Sequence, residues 1–117
     1  MAQHAGLSAE RFARFSLAQQ LLAIANEMNR ASKLFRPEDR SRLSGAFERV
    51  LTLVDLTVEV NDSRSLRREL LRFRDLVAEQ YVSAAPDPQA HARAFRALLQ
   101  FHPETWRQLP HVTGAAQ

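Results

Sequence analysis

Three carboxylates, Glu48, Asp55 and Glu59, fall along one edge of an apolar helical arc, and chemistry is sought there first. Carboxylates converging in a helical bundle hold divalent metals or exchange protons in acid–base catalysis. A di-iron bundle, however, uses Glu-x-x-His pairs from two helices, and the chain has none: Leu51 stands three residues after Glu48, and Arg30 three after Glu27. The next helical stretch carries Arg64, Arg67, Arg68, Arg72 and Arg74, so ion pairs between the two helices account for both sets of charges. These arginines also have the chemistry to grip phosphates. Yet Asp62, Glu69, Asp75 and Glu79 lie among them, and aromatic residues for stacking bases are few. The expectation is a solvated, ion-paired face with no metal and no cofactor.

His91 and His102 fall on the apolar side of the last helical stretch, with Phe95 and Leu98 between them. Neither has a second histidine or a carboxylate at ligand spacing on that helix, so both read as packing histidines. Arg96 and His102 form an Arg-x5-His spacing. This resembles the Arg-x4-6-His signature of the HEPN superfamily, helical bundles that include ribonucleases of toxin–antitoxin pairs. The resemblance covers two residues of one helix. It departs from the family at Ala97, where those ribonucleases typically carry a polar residue. It implies, as the alternative function, an RNA-directed module or ribonuclease with Arg96 and His102 as its catalytic pair. Other nucleophile systems are missing: there is no Gly-x-Ser-x-Gly elbow, no phosphate-binding glycine-rich loop and no His-Glu-x-x-His. Ser44-Gly45 reads as a small-residue packing spot.

The elements that must position these groups are set by a chain of 117 residues, long enough for one domain with its own core. Hydrophobic content of 45% with 25% charged residues is that of a globular protein. No cysteine is present, which excludes disulfides, thiolate metal sites and thiol nucleophiles. Residues 1–8 lack the basic and apolar regions of a signal peptide, and no run approaches the roughly 18 apolar residues of a membrane span. A cytoplasmic protein without membrane contact is expected. The net charge of +3 comes almost wholly from arginine, Lys33 being the one lysine, and is spread along the chain. Charge alone therefore makes nucleic acid a secondary expectation as partner.

Leu17, Leu21, Ile24, Met28, Ala31 and Phe35 recur at heptad-like spacing and predict a helix over 16–35, opened by a Ser16/Gln19 capping box. Ala18, Ala25 and Ser32 make a small-residue row where a neighbour can approach closely. Arg36-Pro37 stops this helix and starts a second, reaching about Val60. Its apolar arc, from Leu43 to Val60, is wide enough for two neighbours; the β-branched 50–60 stretch keeps helical phase through Asp55 and Glu59. Asn61-Asp62-Ser63 turns into a third helix to about Val82, buried through Leu66, Leu70, Phe73, Leu76, Val77 and Tyr81. Asp87-Pro88 opens a fourth over 88–102, which Pro103 ends, with one further turn expected around Trp106 and a frayed tail at 110–117. The fold class is all-α: an antiparallel, up-down four-helix bundle in a single domain over 1–117, ordered over about 8–109.

Phe47-Glu48-Arg49-Val50-Leu51-Thr52-Leu53-Val54-Asp55-Leu56-Thr57, Arg68-Glu69-Leu70-Leu71-Arg72-Phe73-Arg74-Asp75 and the opening Ser16-Leu17-Ala18-Gln19-Gln20 resemble a family of short bacterial helical proteins of unassigned function. The likeness runs from Ser16 to Phe101. It implies a shared fold and a bacterial origin, and no activity, cofactor or catalytic residue. The leading expectation is a non-enzymatic bundle acting through protein–protein contact, with itself as a homodimer or with another protein. On one continuous helix over 8–35, Phe12, Phe15 and Leu22 share the side away from the core seam, and Leu56 and Leu71 project from polar faces of their helices. These five are the candidate interface residues. In the competing arrangement, 8–15 is not part of that helix and folds Phe12 and Phe15 over the end of the bundle.

Overall fold

Ser8 accepts a hydrogen bond from the Arg11 amide and caps a helix, α1 (Ala9–Phe12), that lasts a single turn. The computed structural model describes residues 8–101; His102, Pro103, Trp106 and the 110–117 tail lie outside the described residues. After α1 the chain turns, and Ser16 starts α2 (Leu17–Ala31) through the expected capping box: Gln19 N donates to Ser16 Oγ at 3.1 Å and Ser16 N to Gln19 Oε1 at 2.9 Å. The predicted seam is buried at Leu21, Ile24, Met28 and Ala31, and Ala18 and Ala25 are buried beside it.

α2, predicted to run to Phe35, ends earlier, at Ala31. Two causes act together. Lys33 and Leu34 donate three residues back, to Arg30 and Ala31, which tightens the last turn. Arg36 is extended (ψ 149°), as the residue before Pro37 must be. Phe35 nonetheless remains half-buried against the core.

Pro37–Asp39 form a 3-10 turn that leads into α3 (Arg40–Val60), helical throughout its β-branched half. The buried Thr57 hydroxyl donates to the Leu53 carbonyl at 2.7 Å, so its polar group needs no partner from outside the helix. Gly45 sits inside this helix, where glycine costs about 1 kcal/mol relative to alanine. A Cβ placed on it would meet Arg49 Nη1 at 3.6 Å, an ordinary contact, so packing does not require the glycine.

Ser63 caps α4 (Arg64–Val82) by accepting from Leu66 N, and Asp87 caps α5 (Pro88–Leu99) by accepting from Gln89 N, with Pro88 at the first helical position. α4 buries Leu70, Phe73 and Val77 but leaves Leu76 exposed, against expectation. It packs on α3 and α5, and a helix with so narrow a buried stripe has no place for Leu76, about 100° round from Val77. α5 ends at Leu99, shorter than the predicted 88–102.

The fold is all-helical, with no strand among the described residues. α2 packs on α3 and α5, α3 on α4, α4 on α5, and α1 on α3. No described helix is long and apolar enough to cross a membrane.

Candidate functional site

The acidic row on α3 makes interhelical contacts. Asp55 takes Nε and Nη2 of Arg74 at 2.7 and 3.2 Å, and Glu48 accepts from the Tyr81 hydroxyl at 2.7 Å. The carboxylate partner raises the Arg74 pKa, and donation to Glu48, with desolvation, raises that of the Tyr81 phenol. Glu59 is exposed. Among the described residues, no group of three or more His, Asp or Glu is placed to hold a metal ion. The arginines of α4 are divided among different tasks. Arg67 Nε donates to the Val58 and Asn61 carbonyls at 3.0 and 2.6 Å, placing a cation on the negative end of α3, while Arg72 lies 3.7 Å from Glu69.

His91 is enclosed. Its Nε2 lies 2.9 Å from the Met28 carbonyl and so carries the proton, and its ring stands 5.3, 5.9 and 6.3 Å from those of Phe35, Phe47 and Phe95. Burial lowers its pKa below the ordinary 6.5, partly opposed by the bond to Met28. Arg96 is exposed on the last turn of α5. His102, its expected partner, lies outside the described residues.

The five candidate interface residues do not form one face. Phe12 is 1% exposed and belongs to the core, which overturns its placement on an outer surface. The cause is the break after α1: without one continuous helix over 8–35, Phe12 swings under the corner instead of aligning with Leu22. Leu56 is half-buried and packs against the core, whereas Leu71 is exposed on α4. Phe15 and Leu22 do come together. With Gln19, Ala23 and Asn26 they line a shallow groove on the outer side of α2.

Gln20 holds this corner, a role the sequence reading missed. It is 3% exposed; its Nε2 donates to the Phe12 and Phe15 carbonyls at 3.1 and 2.9 Å, and its Oε1 accepts from Asn61 Nδ2 at 2.8 Å. Asn61 Nδ2 also reaches the Thr57 carbonyl at 2.8 Å. The α1–α2 corner is thereby tied to the end of α3. The available signal was position: Gln20 lies three residues after Leu17 and four before Ile24, on the buried stripe.

Phe15 is 46% exposed, its ring meeting that of Phe12 edge-on at 5.9 Å, whereas Phe12, Phe47, Phe73 and Phe95 are all buried. Comparison of the chain with protein-family models, curated proteins and solved structures gives no match.

Proposed function

We propose that this chain is a non-enzymatic helical protein that acts through protein–protein contact, and that its first partner is a second copy of itself docked through the Phe15–Leu22 groove. The observation carrying this reading is Phe15: a large ring left half in water by a backbone that Gln20 and the Ser16 capping box hold in place. The groove suits a like partner because it offers both a projecting ring and a shallow apolar bed, and none of its lining residues is charged. Two copies related by a two-fold axis insert each ring into the other's groove without like charges meeting. In this reading α2, α3, α4 and α5 form an antiparallel four-helix bundle, supported by the closed circuit of contacts from α2 through α5 back to α2. The likeness to short bacterial helical proteins of unassigned function accords with such a role and adds no activity to it.

Light scattering coupled to size exclusion tests the proposal. A dimer at micromolar concentration is expected, and Phe15→Asp or Leu22→Asp splits it while helicity persists. A clean monomer at high micromolar concentration, unchanged by either substitution, overturns self-association through this groove. RNA cleavage by the purified protein, abolished in His102→Ala and Arg96→Ala without loss of fold, replaces this reading with the ribonuclease one.

A further inference from the structure

Among the described residues four large apolar side chains are exposed, and three of them, Leu71, Leu76 and Val82, stand on α4. The fourth is Phe15, on the far side of the fold. α2 and α4 pack on the same two helices, α3 and α5, so their outer faces point away from each other. Along α4, residues 64, 68, 71, 75, 78 and 82 follow at spacings of 4, 3, 4, 3 and 4, the period of a seam where one helix meets another. This stripe reads Arg64, Arg68, Leu71, Asp75, Ala78 and Val82, and all but the half-buried Ala78 are exposed. Leu76 stands apart from it, about 140° round from Leu71.

The charges on this side of the helix are sorted by sign. Arg64, Arg68 and Arg72 occupy its first half, and Asp75 and Glu79 its second. That order runs against two local preferences. Arg64 with Arg68, Arg68 with Arg72, and Asp75 with Glu79 are like charges four residues apart, which repel. The first turn holds no acid and the last no base, so Arg64 and Glu79 also stand at the disfavoured ends of the helix dipole. Neighbours within the fold offset only part of this. Asp62 lies 3.9 Å from Arg67, and Glu69 3.7 Å from Arg72, both in exposed pairs. Asp75 acts on Arg74, which Asp55 already holds. Among the described residues, the side chains of Arg64, Arg68 and Glu79 enter no ion pair.

We propose that this face of α4 is a further self-association surface, on which a second copy of the chain lays its own α4 antiparallel. The two-fold axis passes the middle of the helix, between Arg72 and Asp75. Arg68 then lies opposite Glu79 of the second copy and Arg72 opposite its Asp75, and each pair occurs twice. In that register Leu71 falls between Asp75 and Ala78 of the second copy, where the alanine leaves room, and the stem of Arg64 lies along its Val82. A parallel pairing would set arginine against arginine and acid against acid. The sorting by sign therefore selects a like partner running in the reverse direction. The contact spans about 28 Å of helix and is largely polar, so it is weaker than one through the Phe15–Leu22 groove. It does not depend on that groove. A chain using both surfaces alternates them and grows beyond a dimer as concentration rises.

Sedimentation equilibrium of the full chain carrying Phe15→Asp, which removes the groove contact, tests the surface. A dimer with a Kd of about 0.1–1 mM at low ionic strength is expected, weakening several-fold as salt is raised. Arg68→Glu and Glu79→Arg each abolish it, because like charges then meet across the axis. Helicity by circular dichroism persists, since both sites are exposed and each change removes like-charged neighbours. The double variant Arg68→Glu/Glu79→Arg restores the dimer. Positions 68 and 79 lie about 16 Å apart along one helix, so this recovery cannot arise within a single copy. A monomer up to about 2 mM overturns the proposal, as does a dimer indifferent to both single substitutions or one that the double variant fails to restore. With Phe15 intact, masses above that of a dimer are expected at these concentrations. A wild-type dimer that Arg68→Glu splits and Phe15→Asp does not leaves this surface standing and removes the groove reading; loss of all association in Phe15→Asp does the reverse.

Discussion

The two ends of α2 invert the usual sorting of side chains. At its start, the apolar ring of Phe15 stands half in water; near its end, the polar imidazole of His91 is sealed among Phe35, Phe47 and Phe95. Backbone carbonyls decide both cases. The buried His91 N–H needs an acceptor, and the Met28 carbonyl, which also accepts from the Ser32 amide, supplies it, so the imidazole is buried neutral. Gln20 donates to the Phe15 carbonyl and to the Phe12 carbonyl, which also accepts from the Phe15 amide, fixing a path that brings one ring into the core and leaves the other outside. Hydropathy alone would exchange the positions of Phe15 and His91.

The largest effect is expected at the buried end. His91→Ala removes one of two hydrogen bonds to the Met28 carbonyl and leaves a cavity among three rings, at a cost of about 3 kcal/mol read by denaturant unfolding. Titration separates the charge from the packing. The folded pKa of His91 lies below the ordinary 6.5, so the unfolded chain takes up this proton first as pH falls. The contribution is fully present above about pH 6.5 and is lost as pH drops toward the folded value. The difference in stability between wild type and His91→Gln, which keeps a donor but does not titrate, shrinks over that range. A difference independent of pH would mean that His91 is not protected from protonation.

Gln20→Ala comes next, at about 1–3 kcal/mol, because the Phe15 carbonyl loses its Gln20 donor, the Phe12 carbonyl keeps only the Phe15 amide, and Asn61 loses one of its two acceptors. This variant also sharpens the comparison, since it releases the path that exposes Phe15 and so weakens self-association without touching the groove lining. Phe15→Asp itself should change monomer stability by no more than about 0.5 kcal/mol. Arg74→Ala is likewise small: its pair with Asp55 is bidentate but solvent-accessible, and less than about 1 kcal/mol is expected.

Much of the fold was legible because helix starts are local. The Ser16, Ser63 and Asp87 caps and the Pro37 and Pro88 positions lie where their side chains and fixed φ angles require. Helix ends were less legible: the stop at Ala31 depends on how the chain tightens before Pro37, and the exposure of Leu76 depends on how narrow a stripe of α4 its neighbours cover. The corner at residues 13–16 was a choice between two arrangements, and the deciding residue, Gln20, finds its partners through tertiary structure, 41 residues away in the case of Asn61. Of the candidate interface, helical phase over one continuous helix does not account for the groove, because the helix breaks between Phe12 and Leu17 and Phe15 reaches Leu22 from that break.

The contact between His91 and the Met28 carbonyl has a kinetic consequence. It spans 63 residues, whereas α2 with α3, α3 with α4, and α4 with α5 are successive along the chain. Closing that span carries the largest loop entropy of these contacts, so the successive helices pair first and α5 reaches α2 after the rate-limiting barrier. Substitutions at His91 should therefore leave the folding arm of a chevron plot almost unmoved and shift the unfolding arm. The buried imidazole acts as a late latch, setting how long the native state lasts more than how quickly it forms.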